Sequence, residues 1–412
     1  MPTDRFLQAL ATELAALDAR GNPKRHEAVI TEVIPAAGGL GPRYKLAGEG
    51  EKPFLKMNSN NYLGLNLHPE VIEAEEKASR QFGAGPGAVR FISGTYAPHV
   101  ELEAALARFH RREAAMIFSS AYATMIGTFL PLVTSETALV SDELNHNCII
   151  NAIRLARPKE KRVYRHNDMA DFAAQLGEVA GSCRRALVVT DGVFSMRGDH
   201  APLDELFRIA REHDARFAEN VVTIVDDSHG VGAYGHTGRG SEEQLGVAGG
   251  ADLLVGTLGK AFGVNGGYVV GAQALVDFLR ETAPMYIYSN PITPAEAAAA
   301  LRAVEIADGP EGAGRIAHLR AMTKRFRDGL VAQGLETLPG EHPVVPLFVR
   351  DTPRTVALVK HLRAHSVLAT GLSFPVVPRG DETIRFQLST DHTAADVDLV
   401  LDLLSSFDGA SS

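Results

Sequence analysis

Cysteine is scarce in this 412-residue chain. Cys148 and Cys183 are its only two, too few for a disulfide scaffold or for a four-ligand zinc site made by cysteine alone. A reducing, cytoplasmic setting is the default expectation. Basic charge is also short, with 41 Lys and Arg against 50 Asp and Glu and a formal net charge of −9. A protein that grips nucleic acid through a broad basic face needs the opposite balance. No apolar run reaches the ~18 residues of a membrane span, and Asp4 and Arg5 fall where a targeting segment would begin. Internal repeats and low-complexity tracts are missing too. The remainder is ordinary globular composition, 45% hydrophobic and 22% charged, enough for two or three domains with a sizeable core.

Short β-branched runs alternate with helical stretches through the middle of the chain. The strands expected are Ala115–Phe118, Ala138–Ser141, Ala186–Thr190, Val221–Val225, Asp252–Gly256 and Gly267–Gly271. Helical patterns cover Val100–His110, Tyr122–Leu132, Asn147–Arg157, Met169–Val179 and Leu203–His213. Apolar strands separated by helices predict an α/β fold with a mostly parallel sheet buried on both faces. Thr293-Pro294 opens an Ala-rich helix, after which strands at Val345–Val349 and Thr383–Leu388 and helices at Arg354–His365 and Ala394–Leu404 suggest a smaller α+β unit. The expected division is an N-terminal arm over 1–55, a large domain over 56–295 and a small domain over 296–412. In the arm, Phe6, Leu7, Leu10, Leu14 and Leu17 recur at helical spacing, so that helix packs either on its own chain or on a partner subunit.

Gly230-Val-Gly-Ala-Tyr-Gly235 fits a dinucleotide fingerprint in letters only. Asp226-Asp-Ser-His229 stands where the fingerprint needs an immediate turn into a helix, and carboxylates there would repel a pyrophosphate. Those intruding residues carry more information. Asp226 and His229 sit just past the carboxyl end of a buried strand, where open α/β sheets place ligands. One strand later comes Thr257-Leu-Gly-Lys260. A lysine there, bracketed by Gly259 and Gly263, can lose hydration and serve as a neutral amine. Taken singly, Lys260 would be an ion-pair partner and His146 or His229 a structural histidine. Together with Asp226 they match the needs of pyridoxal phosphate: a lysine for its aldehyde, a carboxylate for its ring nitrogen and an anion site. Ser119-Ser120-Ala-Tyr122, between a strand and a helix, offers that anion site, with Thr257 and Ser289 as further donors. His146, after the next strand, can cover the ring.

Asn58-Ser-Asn-Asn-Tyr-Leu-Gly64, Arg90-Phe-Ile-Ser-Gly-Thr95, Ser141–His146, Thr190–Met196, Asp226–His229, Gly256–Lys260 and Pro375-Val-Val-Pro378 occur in this order. Over about residues 55–395 the chain resembles the α-oxoamine synthases, pyridoxal-phosphate enzymes of the aspartate-aminotransferase fold (fold type I). The resemblance implies that Lys260 forms the Schiff base, Asp226 pairs with the pyridine nitrogen, His229 bonds the ring 3-hydroxyl and His146 stacks on the ring. It implies Ser195 in support of the cofactor and Ser120, Ala121, Tyr122 and Thr257 at the phosphate. Ser289 and Asn290 would come from the partner subunit of a homodimer. Arg385 would bind the amino-acid carboxylate, with Asn60 beside it, and no metal is implied. The implied reaction condenses an amino acid with an acyl-CoA and releases coenzyme A. Asn145, Thr190–Met196 and Ser228 are most similar to the glycine C-acetyltransferase branch, hence glycine and acetyl-CoA. Ala123-Thr-Met125 departs from the family, whose members commonly carry an asparagine a few residues after the paired serines, and Gly263–Gly267 departs from that branch. The alternative is a branch that joins alanine, serine or glycine to a longer acyl-CoA with loss of carbon dioxide; behind it stand an aldolase and an aminotransferase.

Overall fold

The computed structural model describes residues 3–19, 25, 27–374, 377 and 379–407. Of the motif Pro375–Pro378, therefore, only Val377 lies within the described residues. The centre is a seven-stranded sheet. Its strands are β1 (Ala114–Phe118), β2 (Thr137–Asp142), β3 (Glu160–Tyr164), β4 (Arg185–Asp191), β5 (Val221–Asp226), β6 (Leu253–Thr257) and β7 (Gly267–Gly271). They are ordered β1-β7-β6-β5-β4-β2-β3. Every pairing is parallel except those of β7, which runs antiparallel to both β1 and β6. Valine, isoleucine and leucine fill the inner strands because helices cover both faces. The expected α/β class and its mostly parallel sheet hold.

β3 escaped the sequence reading for a physical reason. It is an edge strand, Glu-Lys-Arg-Val-Tyr, whose first four residues are exposed or half-buried. Charge on an edge strand blocks pairing with another chain and hides the apolar signal. The helix Pro310–Ala332 was also missed. The helix caps were legible: Thr293 with Glu296, and Thr393 with Asp396, each form a reciprocal capping box.

Toward the C-terminus, Val344–Phe348, Thr383–Gln387 and Thr370–Leu372 make an antiparallel three-stranded sheet. Val367–Leu368 pairs in parallel with Leu55–Lys56, which ties the end of the N-terminal segment to this unit. The helix Asp4–Ala19 buries none of its residues. Phe6, Leu7, Leu10, Leu14 and Leu17 are all exposed, so packing on its own chain, one of the two alternatives, is not what the structure shows.

Candidate active site

The register of the parallel strands assembles the site. Asp191 at the end of β4 pairs with Asp226 at the end of β5, and Asp226 pairs with Val255 of β6. Two buried carboxylates thus stand side by side at the carboxyl edge, with Lys260 three residues beyond β6. A cavity of about 150 Å³ opens there. Ala121, Tyr122, His146, Ser195, Asp226, His229, Thr257 and Lys260 line it, together with Cys148, Asp191 and Ser228. Eight of the expected site residues therefore meet in one cavity, although they come from five separate stretches of chain.

Lys260 is the central group. Burial lowers its amine to about 8, against the opposing attraction of Asp226 and Asp191. A neutral fraction of about a tenth at pH 7, far above that of an ordinary lysine, makes it a usable base or nucleophile. Asp191 behaves in the opposite sense: burial and the charge of Asp226 hold its carboxyl well above the ordinary range. Asp226 Oδ1 accepts the Ser228 N–H at 3.1 Å, and the Cys148 thiol points at Oδ2 from 3.6 Å. Burial and these carboxylates push that thiol upward, so Cys148 stays protonated and unreactive.

The glycines after Asp226 have a use other than phosphate binding. Asp227 is fully buried and accepts from the backbone N–H and hydroxyl of Ser241. A Cβ added at Gly192, Gly230 or Gly240 would come within 2.3, 2.1 or 1.9 Å of its carboxylate. Gly240 in addition has φ +95°, a conformation L side chains avoid. The glycine-rich stretch wraps Asp227 and so fixes the turn that presents Asp226 and His229.

Hydrogen bonds set which nitrogen of each histidine carries a proton. Tyr62, wholly buried, lies with its hydroxyl 2.7 Å from His229 Nδ1. Burial pushes the Tyr62 phenol up, so it keeps a proton that it can donate to Nδ1. Burial and Lys260 hold His229 well below its ordinary range. A neutral imidazole that accepts at Nδ1 carries its single N–H on Nε2. His342 donates from Nε2 to the His229 carbonyl at 2.9 Å and accepts the Val344 N–H at Nδ1. His146 caps the helix Asn147–Ala156, its Nδ1 accepting the Cys148 N–H while its backbone N–H donates to Asp191 Oδ2. Burial lowers its pKa, and its Nε2 is likewise left as the donor.

Ser120 caps the helix Ala121–Leu132 by accepting from Ala123 N at 3.1 Å. The N–H groups of Ala121 and Tyr122 fall in its first turn, which has no intrahelical acceptors. A Cβ on Gly267 would lie 2.2 Å from Ala121 N, so glycine there lets β7 press against this helix start. Thr257 donates to the Gly266 carbonyl and accepts from Gly259 N, both at 3.2 Å. Among the described residues, Ser228 Oγ is buried with no partner.

Arg385 reaches the edge of the site from the small sheet. Its Nη1 donates to the Ser195 carbonyl at 2.8 Å, and its Nε is buried and unpartnered. Gln387 beside it donates to Asn60 Oδ1, so Asn60 and Arg385 belong to one polar cluster. A second cavity of about 360 Å³ shares Ser195 and is walled by Leu144, Phe194, Met196, Pro346 and Phe348. Ser289 and Asn290 do not line the 150 Å³ cavity; Ser289 bonds only weakly to the Asn290 carbonyl, at 3.4 Å. The sequence reading missed Tyr62, Cys148, Asp191 and Ser228 as cavity or supporting groups. Asp191 carried a legible signal, since it ends a buried strand as Asp226 does.

Three comparisons bear on these observations. The profile of the family described as aminotransferase class I and II matches residues 52–404. The mitochondrial 2-amino-3-ketobutyrate coenzyme A ligase of Bos taurus is 42% identical over 341 residues, covering 82% of this chain and 79% of that protein. The 8-amino-7-oxononanoate synthase 1 of Bacillus velezensis is 39% identical over 367 residues, covering 89% and 90%. A high-resolution structure of SPT with PLP superposes with a TM-score of 0.86 at 25% identity, covering 98% of this chain and 97% of that one.

Proposed function

This chain belongs to the aminotransferase class I and II family, and from that membership and the geometry of its site we propose a pyridoxal-phosphate-dependent acyltransferase, an α-oxoamine synthase that joins glycine to acetyl-CoA. The observation that carries this reading is the half-buried Lys260 amine sharing one cavity with Asp226 of the neighbouring strand. The residues present fit the cofactor. The unpartnered Ser228 hydroxyl and the open helix start at Ala121 are donors without acceptors, and the cradle exists only because residue 267 is glycine.

When bound, pyridoxal phosphate supplies an aldehyde for an amine and a ring that delocalises negative charge from the amino acid's Cα. Lys260 would hold the aldehyde, and its amine is placed to accept a proton from the amino acid's Cα. Asp226 would keep a proton on the ring nitrogen, and His229 would donate its Nε2–H to the ring oxygen. His146 covers the ring, and Ser195 supports it. Ala121, Tyr122, Ser120 and Thr257 bind the phosphate at the helix start. Ser289 and Asn290 act in the site of a partner subunit, which makes the working form a homodimer. The Arg385 guanidinium, with Asn60 near it, grips the substrate carboxylate. The acyl carbon bonds to Cα, its bond to sulfur breaks, and coenzyme A departs as the thiol. Two buried, free cysteines support a cytoplasmic location. No helix among the described residues is long and apolar enough to cross a membrane.

The 360 Å³ cavity beside Ser195 is lined by Leu144, Phe194, Met196, Pro346 and Phe348 as well as by Glu143, Arg197 and Asp381, and its apolar wall favours a second reading, a longer acyl chain with loss of carbon dioxide. Thiol release across a grid of amino acids and acyl-CoAs, with carbon dioxide followed in the same wells, separates the two. Glycine with acetyl-CoA and no carbon dioxide supports the first; another pair with carbon dioxide replaces it with the second. No thiol from any pair rejects both.

Two substitutions probe the assignments. Arg385→Lys loses the fork that a carboxylate engages with two bonds. Charge-assisted bonds contribute about 1.5–3 kcal/mol, so KM for the amino acid rises roughly ten- to hundredfold with kcat less affected; an unchanged KM removes Arg385 from the carboxylate site. Tyr62→Phe leaves His229 Nδ1 buried without a donor. Turnover falls about tenfold for one lost hydrogen bond, and the absorbance of the bound cofactor titrates at a shifted pH. An unaltered titration shows that Tyr62 does not set the tautomer.

A further inference from the structure

His166 lies outside the cavity, in the turn between β3 and the helix Met169–Val179, with a carboxylate at each ring nitrogen. Nδ1 is 3.0 Å from Asp142 Oδ1 and Nε2 is 3.1 Å from Asp199 Oδ2. Asp142 accepts at both of its oxygens, from the N–H groups of Leu144 and Asn167, while Asp199 accepts at Oδ2 from Arg197 Nε and keeps Oδ1 buried without a partner among the described residues. A neutral imidazole donates to one of these acceptors and can accept from Asn167 Nδ2, 3.3 Å from Nε2; a cation donates to both carboxylates, at the shorter distances of 3.0 and 3.1 Å. The ring also stands edge-on to Phe194, with centroids 4.4 Å apart.

The two carboxylates belong to different walls of the site. Asp142 ends β2 and shapes the loop that carries Asn145 and His146. Asp199 closes a tight loop in which Phe194 N donates to the Asp199 carbonyl and Gly198 N to the Phe194 carbonyl. That loop holds Ser195, whose carbonyl receives Arg385. We propose that His166, as a cation bridging Asp142 and Asp199, is a positioning residue that locks the Ser195 loop against the His146 loop and thereby places Arg385 for the amino acid. The placement of Arg385 rests on the substrate role proposed for it above.

The charge state agrees with this geometry. Burial alone would lower the imidazole, but the bonds from Asp142 and Asp199 raise it to about 9. Asp199 moves the opposite way, held below its ordinary range against burial by His166 and then Arg197. The other charged group facing this residue is Glu143, which accepts the His166 backbone N–H. Because the folded value is raised, the bridge is intact below the ordinary histidine value near 6.5 and is lost as pH climbs through about 9.

The test compares His166→Gln and His166→Arg in the cofactor-loaded protein. Gln cannot donate on both sides, whereas Arg keeps a cation with N–H groups facing both carboxylates. For His166→Gln, amide exchange of peptides covering 192–201 speeds up about tenfold and KM for the amino acid rises about tenfold, as for a lost charge-assisted bond, with kcat within about threefold. His166→Arg restores both. The melting difference between the parent and His166→Gln is present at pH 6 and vanishes by pH 10. Unchanged exchange in 192–201, or Arg behaving no better than Gln, overturns the proposal. Faster exchange in a protein that turns over no amino acid upholds the lock and sinks the substrate reading instead.

Discussion

Lys260→Ala will lose at least about 10⁴-fold in turnover, because one amine both holds the aldehyde and carries the Cα proton. The loss comes without unfolding. Lys260 makes no ion pair within 4 Å among the described residues, and desolvation is what lowers its amine to about 8, so removing the charge relieves a desolvation cost. The phosphate donors at Ala121 and Thr257 remain, and cofactor should still co-purify in an altered absorbance form. Steady-state thiol release with the melting temperature as control checks this. A Lys260→Ala protein that turns over at the parent rate would mean that the proton and the aldehyde are handled elsewhere.

Asp226→Asn should cost about 10²–10⁴-fold, the range of a lost acid–base group. The amide matches the carboxylate in shape and keeps an acceptor for Ser228 N, yet it cannot hold a proton on the ring nitrogen. The structure adds an internal control. Asp191 is held well above its ordinary range by burial and by the charge of Asp226. Removing that charge eases the repulsion, so stability should be unchanged or higher while the rate collapses. Washout of deuterium from Cα-labelled glycine reads the affected step directly. Parallel losses of stability and rate would assign Asp226 a structural role only.

Much of the architecture and most of the cavity were legible because both follow from short-range pattern. Buried strands declare themselves through valine and isoleucine, and Asp226 and Lys260 sit at fixed offsets from strand ends. Charged β3 was hidden because an edge strand is selected for solvent contact. Tyr62 was quoted within a motif but not read as a site group, since its bond to His229 joins residues 167 apart. Asp199 and His166, 33 residues apart, fell in no motif at all. Long-range hydrogen bonds leave no periodic trace, and the residues that tune a site are therefore harder to read than those that form it.

The central claim is acyl transfer to an amino-acid carbon, and the most direct measurement is stoichiometry. Loaded enzyme would be given glycine and acetyl-CoA, and free coenzyme A counted against amino acid consumed. The account predicts one thiol per glycine, no thiol without the amino acid, and a product heavier than glycine by one acetyl group in place of a hydrogen. Thiol released equally without any amino acid, or glycine converted to a keto acid with the thioester intact, would contradict it.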